Sequence, residues 1–226
     1  MSTVLSEEAA RAILGDDVLG PREVEAVFGV GVHGETLPHM PFSREALIAA
    51  KQAGEMLIAR VTHGRGGTPL TLLQMLLEFP DAFDKRLLRQ VGYQLKDEWG
   101  IELEPLAATD TCAPGWALVR KEVLDASRNL TYDEQDAALR AYATSVGAAT
   151  VRRRSAVEAV YDTLLYFGAR RVRLLEKTWD WSASRTLDGG YLNVGGFSSS
   201  GMQILAYSRA IRHGGLGTCP TRGPLA

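Results

Sequence analysis

The chain lacks three features that would assign it to a broad class. It has no excess of charge, since its 226 residues carry a formal net charge of -2, so it has no general basic field for nucleic acid. It has no apolar run near the ~20 residues that cross a bilayer. Its first residues are acidic where a secretory signal is basic. We therefore expect a cytoplasmic protein with no nucleic-acid partner and no membrane partner.

Cysteine is also scarce, because only Cys112 and Cys219 are present. Two cysteines make neither a disulfide framework nor a cysteine-rich zinc site, so we expect two unpaired thiols. His33, His39 and His63 fall in loop-like sequence without the paired helical spacing of metal ligands. We expect no metal and no cofactor.

The last part of the chain lacks ordinary surface charge. From Gly189 to the end there is no Asp, Glu or Lys, yet Tyr207, Arg209, Arg212, His213 and three serines at 198–200 remain. Tyr, Ser, Gly and Arg are typical of adaptable binding surfaces. The serines lack a G-x-S-x-G elbow and have only His213 as a nearby base in sequence, so the pattern favours binding over nucleophilic catalysis.

Residues 1–100 are predicted to form a mainly helical region. Ser6, Ser43 and Thr68 are placed as N-caps, with Pro69 in the first turn after Thr68. A further helix is predicted over 84–99. The segment "MLIARV" reads as the one strand of this part.

Residues 101–226 are predicted to be mixed, so the fold class is α+β. The segments "GWALVRKEVL", "RVRLLEKTWDWSASRT" and "YLNVGGF" read as strands. One helix begins with a capping box of Thr131 and Glu134, and another begins with Ser155 and Glu158 and ends at Gly168. The three arginines at 152–154 read as a solvated or salt-bridged turn, with a phosphate contact as the alternative.

The order of these elements resembles the C-type-lectin-like fold of formylglycine-generating-enzyme-type proteins over residues 105–226. The capped helix from Ser155 comes first, then "TWDWS", then the Gly195–Gly196 turn, then a closing Arg222. Val194 stands where that family has an arginine before its two glycines. The resemblance implies a C-type-lectin-like C-terminal domain over 101–226, preceded by the helical region.

Within that fold, the segment 190–222 resembles the variable region of a diversity-generating retroelement protein, in which a reverse transcriptase rewrites adenines. Randomising both adenines of an AAC or AAT codon cannot produce Lys, Glu, Gln, Met or Trp. Residues 197–218 avoid these types except at Met202 and Gln203, which are then scaffold positions or come from other codons. The resemblance implies that the ligand-binding residues are Ser198, Ser199, Ser200, Gln203, Leu205, Tyr207, Ser208, Arg209, Arg212 and His213.

The function that follows is non-catalytic binding of an unknown protein or other macromolecular ligand. Two alternatives remain open: an enzyme on the formylglycine-generating-enzyme-like fold, and an interaction module without diversification. Enzymes of that type resemble oxidases with two cysteines close together, a pairing that Cys112 and Cys219 do not reproduce. The oligomeric state is not specified by these patterns.

Overall fold

Both helices and sheets are present in the residues that the computed structural model describes, namely 5–29, 37–84 and 100–223. The α+β class is confirmed. Among the helices of these ranges, none has the length and apolarity that a bilayer crossing requires. The helix predicted over 84–99 lies, apart from Asp84, outside the described residues.

The helices and strands follow one another along the chain, with short 3-10 turns between them. The α-helices are α1 (Glu7–Leu14), α2 (Pro21–Phe28), α3 (Arg44–Gln52), α4 (Leu72–Glu78), α5 (Pro105–Thr109), α6 (Gln135–Ser145) and α7 (Ala156–Arg170). The strands are β1 (Val18–Leu19), β2 (Glu55–Arg60), β3 (Gly115–Arg120), β4 (Arg152–Arg153), β5 (Trp179–Arg185), β6 (Tyr191–Ser198), β7 (Gly201–Tyr207), β8 (Leu216–Gly217) and β9 (Pro220–Arg222).

The strands form two sheets, and the long helix α7 packs against both. One sheet has the order β1-β2-β3-β9-β4 and the other the order β7-β6-β5-β8. Helix α7 contacts α2 and β1 on one side and β5 and β6 on the other, and its residues from Ala156 to Tyr166 are buried. A helix that is buried nearly all round must be central to the core.

The two parts that the sequence divides near residue 100 share one sheet and one core. Strand β2 pairs antiparallel with β3 over six residues, from Glu55 opposite Arg120 to Arg60 opposite Gly115. One cluster of buried apolar side chains runs from Ala10 through α7 to β7. The predicted boundary therefore falls between two paired strands.

Three predicted caps form as expected. The hydroxyls of Ser6, Ser43 and Ser155 each accept a hydrogen bond from the backbone N–H three residues later. The prediction for Thr68 was wrong, because α4 is capped by Thr71, whose hydroxyl accepts from the N–H of Gln74. Residues 68–70 instead turn back on residues 62–64 through backbone hydrogen bonds.

Gly168 was wrongly predicted to end α7. The helix continues to Arg170, and Arg171 ends it in the left-handed conformation with φ 60°. A Cβ atom at Gly168 would lie 2.7 Å from a methyl group of Val27. This glycine therefore allows α2 to pack closely on α7, which is a different use of the same residue type.

The strand predictions hold in part. Strands β3, β5 and β6 lie within predicted segments, but the segment before Trp179 is not a strand, and Leu175 there has a positive φ of 55°. Strand β7 was not predicted. It pairs with β6 along most of its length and carries three of the ten predicted ligand-binding residues, Gln203, Leu205 and Tyr207.

A cluster of buried ion pairs joins β2, α7 and β5. The Arg60 guanidinium donates to both oxygens of Asp162, at 2.9 and 2.7 Å, and to Glu158 at 2.5 Å. Arg154 donates to Asp162 at 3.1 Å and to Asp180 at 2.9 Å. All five side chains are at most 5% exposed. Arg152 pairs with Glu158 and Arg153 with Asp136, so all three arginines at 152–154 are salt-bridged. The first two form strand β4 rather than the predicted turn, and Arg154 lies in the interior.

The C-terminal arginine has a similar structural role. Arg222 on β9 donates to Glu55 on β2 at 2.6 and 3.0 Å, and Glu55 also accepts from the Tyr142 hydroxyl at 2.7 Å. Burial and the Glu55 charge raise the pKa of Tyr142, so the phenol stays protonated as a donor. The closing arginine that carries part of the family resemblance thus fixes the last strand to the first half of the chain.

We expect the buried cluster to dominate stability. Replacing Asp162 with alanine leaves two buried guanidinium groups short of a partner, and such a loss destabilises a fold by about 3–5 kcal/mol. The control is Asp125→Ala, which breaks the pair with Arg128 at a carboxylate that is 92% exposed and should change stability little. Urea unfolding of both variants checks this; similar losses in the two would contradict it.

Glu158 gives the cluster a dependence on pH. Burial by itself raises the pKa of Glu158, but hydrogen bonds from Arg152 and the charges of Arg60 and Arg152 outweigh it and lower the pKa from 4.5 to about 2. A carboxyl group whose pKa is lowered in the folded state contributes stability above its unfolded pKa. That stability is lost as the pH falls through 4.5 toward 2.

The loss on acidification is measurable with Glu158→Gln. Above pH 5 we expect the wild type to be more stable than this variant, with an ionisation contribution on the order of 3 kcal/mol from the shifted pKa. The difference should fall to less than half at pH 3. Denaturant unfolding at pH 7, 5 and 3 measures it, and a difference that stays constant over this range would refute the assignment.

Candidate binding face

Strands β5, β6 and β7 form a sheet with two different faces. Their inward residues, such as Leu192, Val194 and Ile204, belong to the apolar core. The opposite side chains follow from the strand register, in which Trp181 is opposite Asn193 and Asn193 is opposite Leu205. We name this side the outer face, and it consists of Trp179, Trp181, Tyr191, Asn193, Gln203, Leu205 and Tyr207.

Two glycines let β6 approach the start of β5. A Cβ atom at Gly195 would lie 2.1 Å from the carbonyl oxygen of Thr178, so only glycine fits without a shift. Gly196 has φ 56°, in the left-handed region that favours glycine, and its N–H donates to the same carbonyl at 2.9 Å. Glycine is therefore needed at both positions for β6 to lie this close to β5.

The loop 208–215 lies at one end of the outer face and is held by its backbone. The N–H of Tyr132 donates to the carbonyl of Arg209 at 3.0 Å, and the N–H of Asn129 donates to the carbonyl of His213 at 3.2 Å. The N–H of Trp179 donates to the carbonyl of Gly215 at 2.8 Å. These hydrogen bonds do not depend on which side chains the loop carries.

Two exposed ion pairs join the same loop to the segment 129–134. Arg209 pairs with Asp133 through two of its nitrogens, and Arg212 pairs with Glu134 at 2.5 Å. The backbone N–H of Thr131 and the Arg212 guanidinium lower the pKa of Glu134. All four charged side chains are about half exposed, so the pairs are screened by salt and add little stability.

Tyr132 covers the middle of the outer face. Its ring stacks on Tyr191 with the centroids 4.0 Å apart and meets the edge of Trp181 at 5.3 Å. The Arg153 guanidinium lies 4.0 Å from the Tyr132 ring centroid. The tyrosine is thus held between a cation and the aromatic side chains of β5 and β6.

The structure brings seven of the ten predicted residues to one region. Gln203, Leu205 and Tyr207 share the outer face of β7, and Ser208, Arg209, Arg212 and His213 follow in the adjoining loop. Trp179 links the two sets, because its indole N–H donates to Gln203 at 3.3 Å and its ring meets His213 at 6.0 Å. Leu205 is only 7% exposed, so it belongs to the face as a packed residue.

The three serines lie elsewhere. Ser198 is opposite Gly201, so Ser199 and Ser200 form the turn between β6 and β7. With a rise of ~3.3 Å per residue, this turn is about 20 Å from the loop that begins after Tyr207. The serines are therefore at the far end of the hairpin from the arginines.

Sequence reasoning missed Tyr132, Asp133 and Glu134, which meet the loop across 76 to 78 residues of chain. Thr131 and Glu134 do make the two hydrogen bonds of a capping box, but the prediction that this box begins the helix was wrong, because α6 begins only at Gln135. The capping-box interpretation accounted for Thr131 and Glu134 within their own segment. No signal in the sequence therefore pointed to the contact of this segment with the tail.

Other features of the interior lie apart from the outer face. Burial raises the pKa of both Cys112 and Cys219, which keeps the thiols protonated. A groove of about 500 Å³ lies between α2, α4 and α7, with Val27, Phe79 and Phe167 in its lining, and contains none of the predicted residues. Within the described ranges, no three His, Cys, Asp or Glu side chains converge as a metal site.

Comparison of this chain with protein-family models, curated proteins and solved structures finds no match.

Substitutions in this region should fall into two groups: some lower the free energy of unfolding strongly, and others change it little. We expect Gly195→Ala to cost about 1–3 kcal/mol, because its methyl group collides with the backbone at Thr178. Replacing Ser199, Ser208 and Arg212 together with alanine should cost less than this single change. Thermal and urea unfolding of the two proteins test the expectation. A larger loss in the triple variant would show that those side chains hold the fold.

Proposed function

We propose that this chain is a non-catalytic binding protein with a C-type-lectin-like C-terminal domain. Its ligand is a macromolecule, most simply a protein, which it contacts through the outer face of β7 and the loop 208–215. The side chains of this region are diversified by a retroelement of the kind described above. Tyr207, Arg209, Arg212 and His213 are the principal contacts.

The observation that carries the proposal is the backbone anchoring of the loop. Residues outside the segment 190–222 hold the carbonyls of Arg209, His213 and Gly215 through their own backbone N–H groups. Strand β7 is likewise held by its ladder with β6. A segment fixed in this way keeps its path when its side chains change, which is what a diversified surface requires.

The two residues that the codon argument could not produce have scaffold roles. Met202 is fully buried in the core, and Gln203 holds the Trp179 indole by a hydrogen bond. Their positions support the view that they lie outside the set of changing residues. Gln203 is then a residue of the frame rather than a primary ligand contact.

The order of elements also supports the C-type-lectin-like assignment. The capped helix α7 leads to the tryptophan strand β5, then to the glycine-bearing strand β6, and the chain ends with β9 and Arg222. The resemblance was based on this order of elements. In the first sheet, β9 lies between β3 and β4.

The gene provides the test. We expect a near-copy of the DNA for residues 190–222 in the flanking sequence, beside a reverse-transcriptase gene, with differences only where the copy has adenine. The differing codons should encode Tyr207 and the loop residues 208–213. They should spare core residues such as Leu192, Met202 and Ile204. Sequencing the locus measures this. If neither a copy nor a reverse transcriptase is present, the protein is an interaction module with a fixed surface.

A further inference from the structure

A row of buried polar side chains without partners crosses the outer face. In the part of the chain that the structure describes, seven buried side-chain nitrogen and oxygen atoms have no hydrogen-bond partner, and four belong to Trp181, Asn193 and Thr218. Trp181 is opposite Asn193 across β5 and β6. Thr218 follows Gly217, which is opposite Asp180 across β8 and β5. Trp181 and Asn193 stand on the adjacent strands β5 and β6, and Thr218 directly follows β8, on the other side of β5. These three residues are here called the polar row.

The polar row is unfavourable as it stands. All three residues are 0% exposed, and a buried polar group without a partner loses its hydration and gains nothing in return. Such groups are few in folded proteins, and a cluster of them calls for an explanation. The opposite side of β5 behaves differently, because the Asp180 carboxylate there has a partner for each oxygen.

A single segment lies over the Trp181 end of the row. The Tyr132 ring contacts Trp181 and Tyr191, and the segment 129–134 is joined to the loop 208–215 by backbone hydrogen bonds and by two exposed ion pairs. The exposed pairs are weak. Moving the cover also lets solvent reach the polar row, which offsets part of the cost of opening.

We propose that the polar row is a ligand-contact site that opens when Tyr132 and the segment 129–134 move off the outer face, and that its ligand is an uncharged amide of a peptide segment of the protein partner. The proposal rests on the proposed function, since it specifies the chemistry of the same face. The row offers an indole N–H donor, an amide and a hydroxyl.

The chemistry of the row selects this ligand. An amide supplies both a donor and an acceptor to this mixed set of donors and acceptors, whereas a carboxylate or ammonium group would bring an unpaired charge into a buried site. The rim of the site supports a peptide segment. It carries tyrosine, arginine and histidine side chains at Tyr207, Arg209 and His213, which are typical of surfaces that bind proteins.

Opening of the cover can be measured without a ligand. We expect the indole N–H of Trp181 to exchange with solvent faster than the backbone amides of α7, which report global unfolding. Tyr132→Ala should speed the indole exchange at least about tenfold relative to those amides. NMR hydrogen exchange gives both rates from one sample. If the Trp181 indole N–H exchanges at the same rate as the α7 amides in both the wild type and the Tyr132→Ala variant, the proposal is overturned.

The contact itself is tested with twelve-residue random peptides displayed on phage and selected on the wild-type protein. Asn193→Leu removes both polar atoms at similar size, so it should raise the unfolding midpoint by about 2–6 °C and weaken the selected peptides at least tenfold. Trp181→Phe, which removes the indole N–H together with part of the ring, should also weaken them. Thr163→Val is the matched control, because it removes another buried unpartnered atom on α7 and should leave peptide affinity unchanged.

The outcomes separate this proposal from the proposed function. Peptides weakened by His213→Ala but not by Asn193→Leu or Trp181→Phe would overturn the role of the polar row and leave the binding face intact. Failure to select peptides, or peptides weakened by none of these changes, would overturn both. Binding to a glycan array that Asn193→Leu abolishes would replace the peptide with a carbohydrate and overturn the proposed ligand.

Discussion

The fold depends on the buried ion pairs around α7. A buried carboxylate or guanidinium is tolerated only when its partners are correctly placed, so Arg60, Asp162, Arg154 and Asp180 allow one arrangement of β2, α7 and β5. Apolar contacts alone would allow these elements to slide by fractions of a side chain. The cluster therefore fixes the relation between the two sheets, and the Cys219 N–H, which donates to Asp180 at 2.6 Å, fixes the chain that leads into β9.

This constraint has a consequence for the outer face. Asp180 points into the ion cluster while Trp179 and Trp181, its neighbours on β5, point outward. The same strand therefore carries the strongest interactions of the core on one side and the candidate binding surface on the other. Much of the stability is supplied from the inner side, so the exposed side chains of the loop 208–215 can change at little cost in stability.

The sequence predicted the elements whose local signals agree with their tertiary setting. Ser6, Ser43 and Ser155 cap helices because each is followed by an apolar pattern of helical period. A glycine near the end of a helical pattern has two physical uses, and this one was misassigned. Gly168 was predicted to end α7, but it is a glycine because α2 packs against it at Val27. Strand β7 was missed because Leu205 is apolar on the outer face and interrupts the alternation that marks a half-buried strand.

The candidate site was predictable in its composition but not in its geometry. The absence of Asp, Glu and Lys singled out the tail, and seven of its ten predicted residues lie on the outer face of β7 and in the loop that follows it. The segment 129–134 could not be found in the same way, because its contacts with the tail join residues far apart in the chain. The arginines at 152–154 likewise gave no sign of burial, since a charged run is the same in sequence whether its partners come from water or from α7.

The contrast between two kinds of buried polar group separates scaffold from site. Around α7 the charged groups have partners, and Asp162 alone bonds two arginines. In the polar row, on the other side of the same strand, Trp181 and Asn193 have none. If packing alone decided which buried polar groups have hydrogen-bond partners, the two sides of β5 would not differ in this way. The chain instead pairs the charged groups that position its sheets, whereas Trp181 and Asn193 are left for a partner from outside the molecule under the proposed opening of the cover.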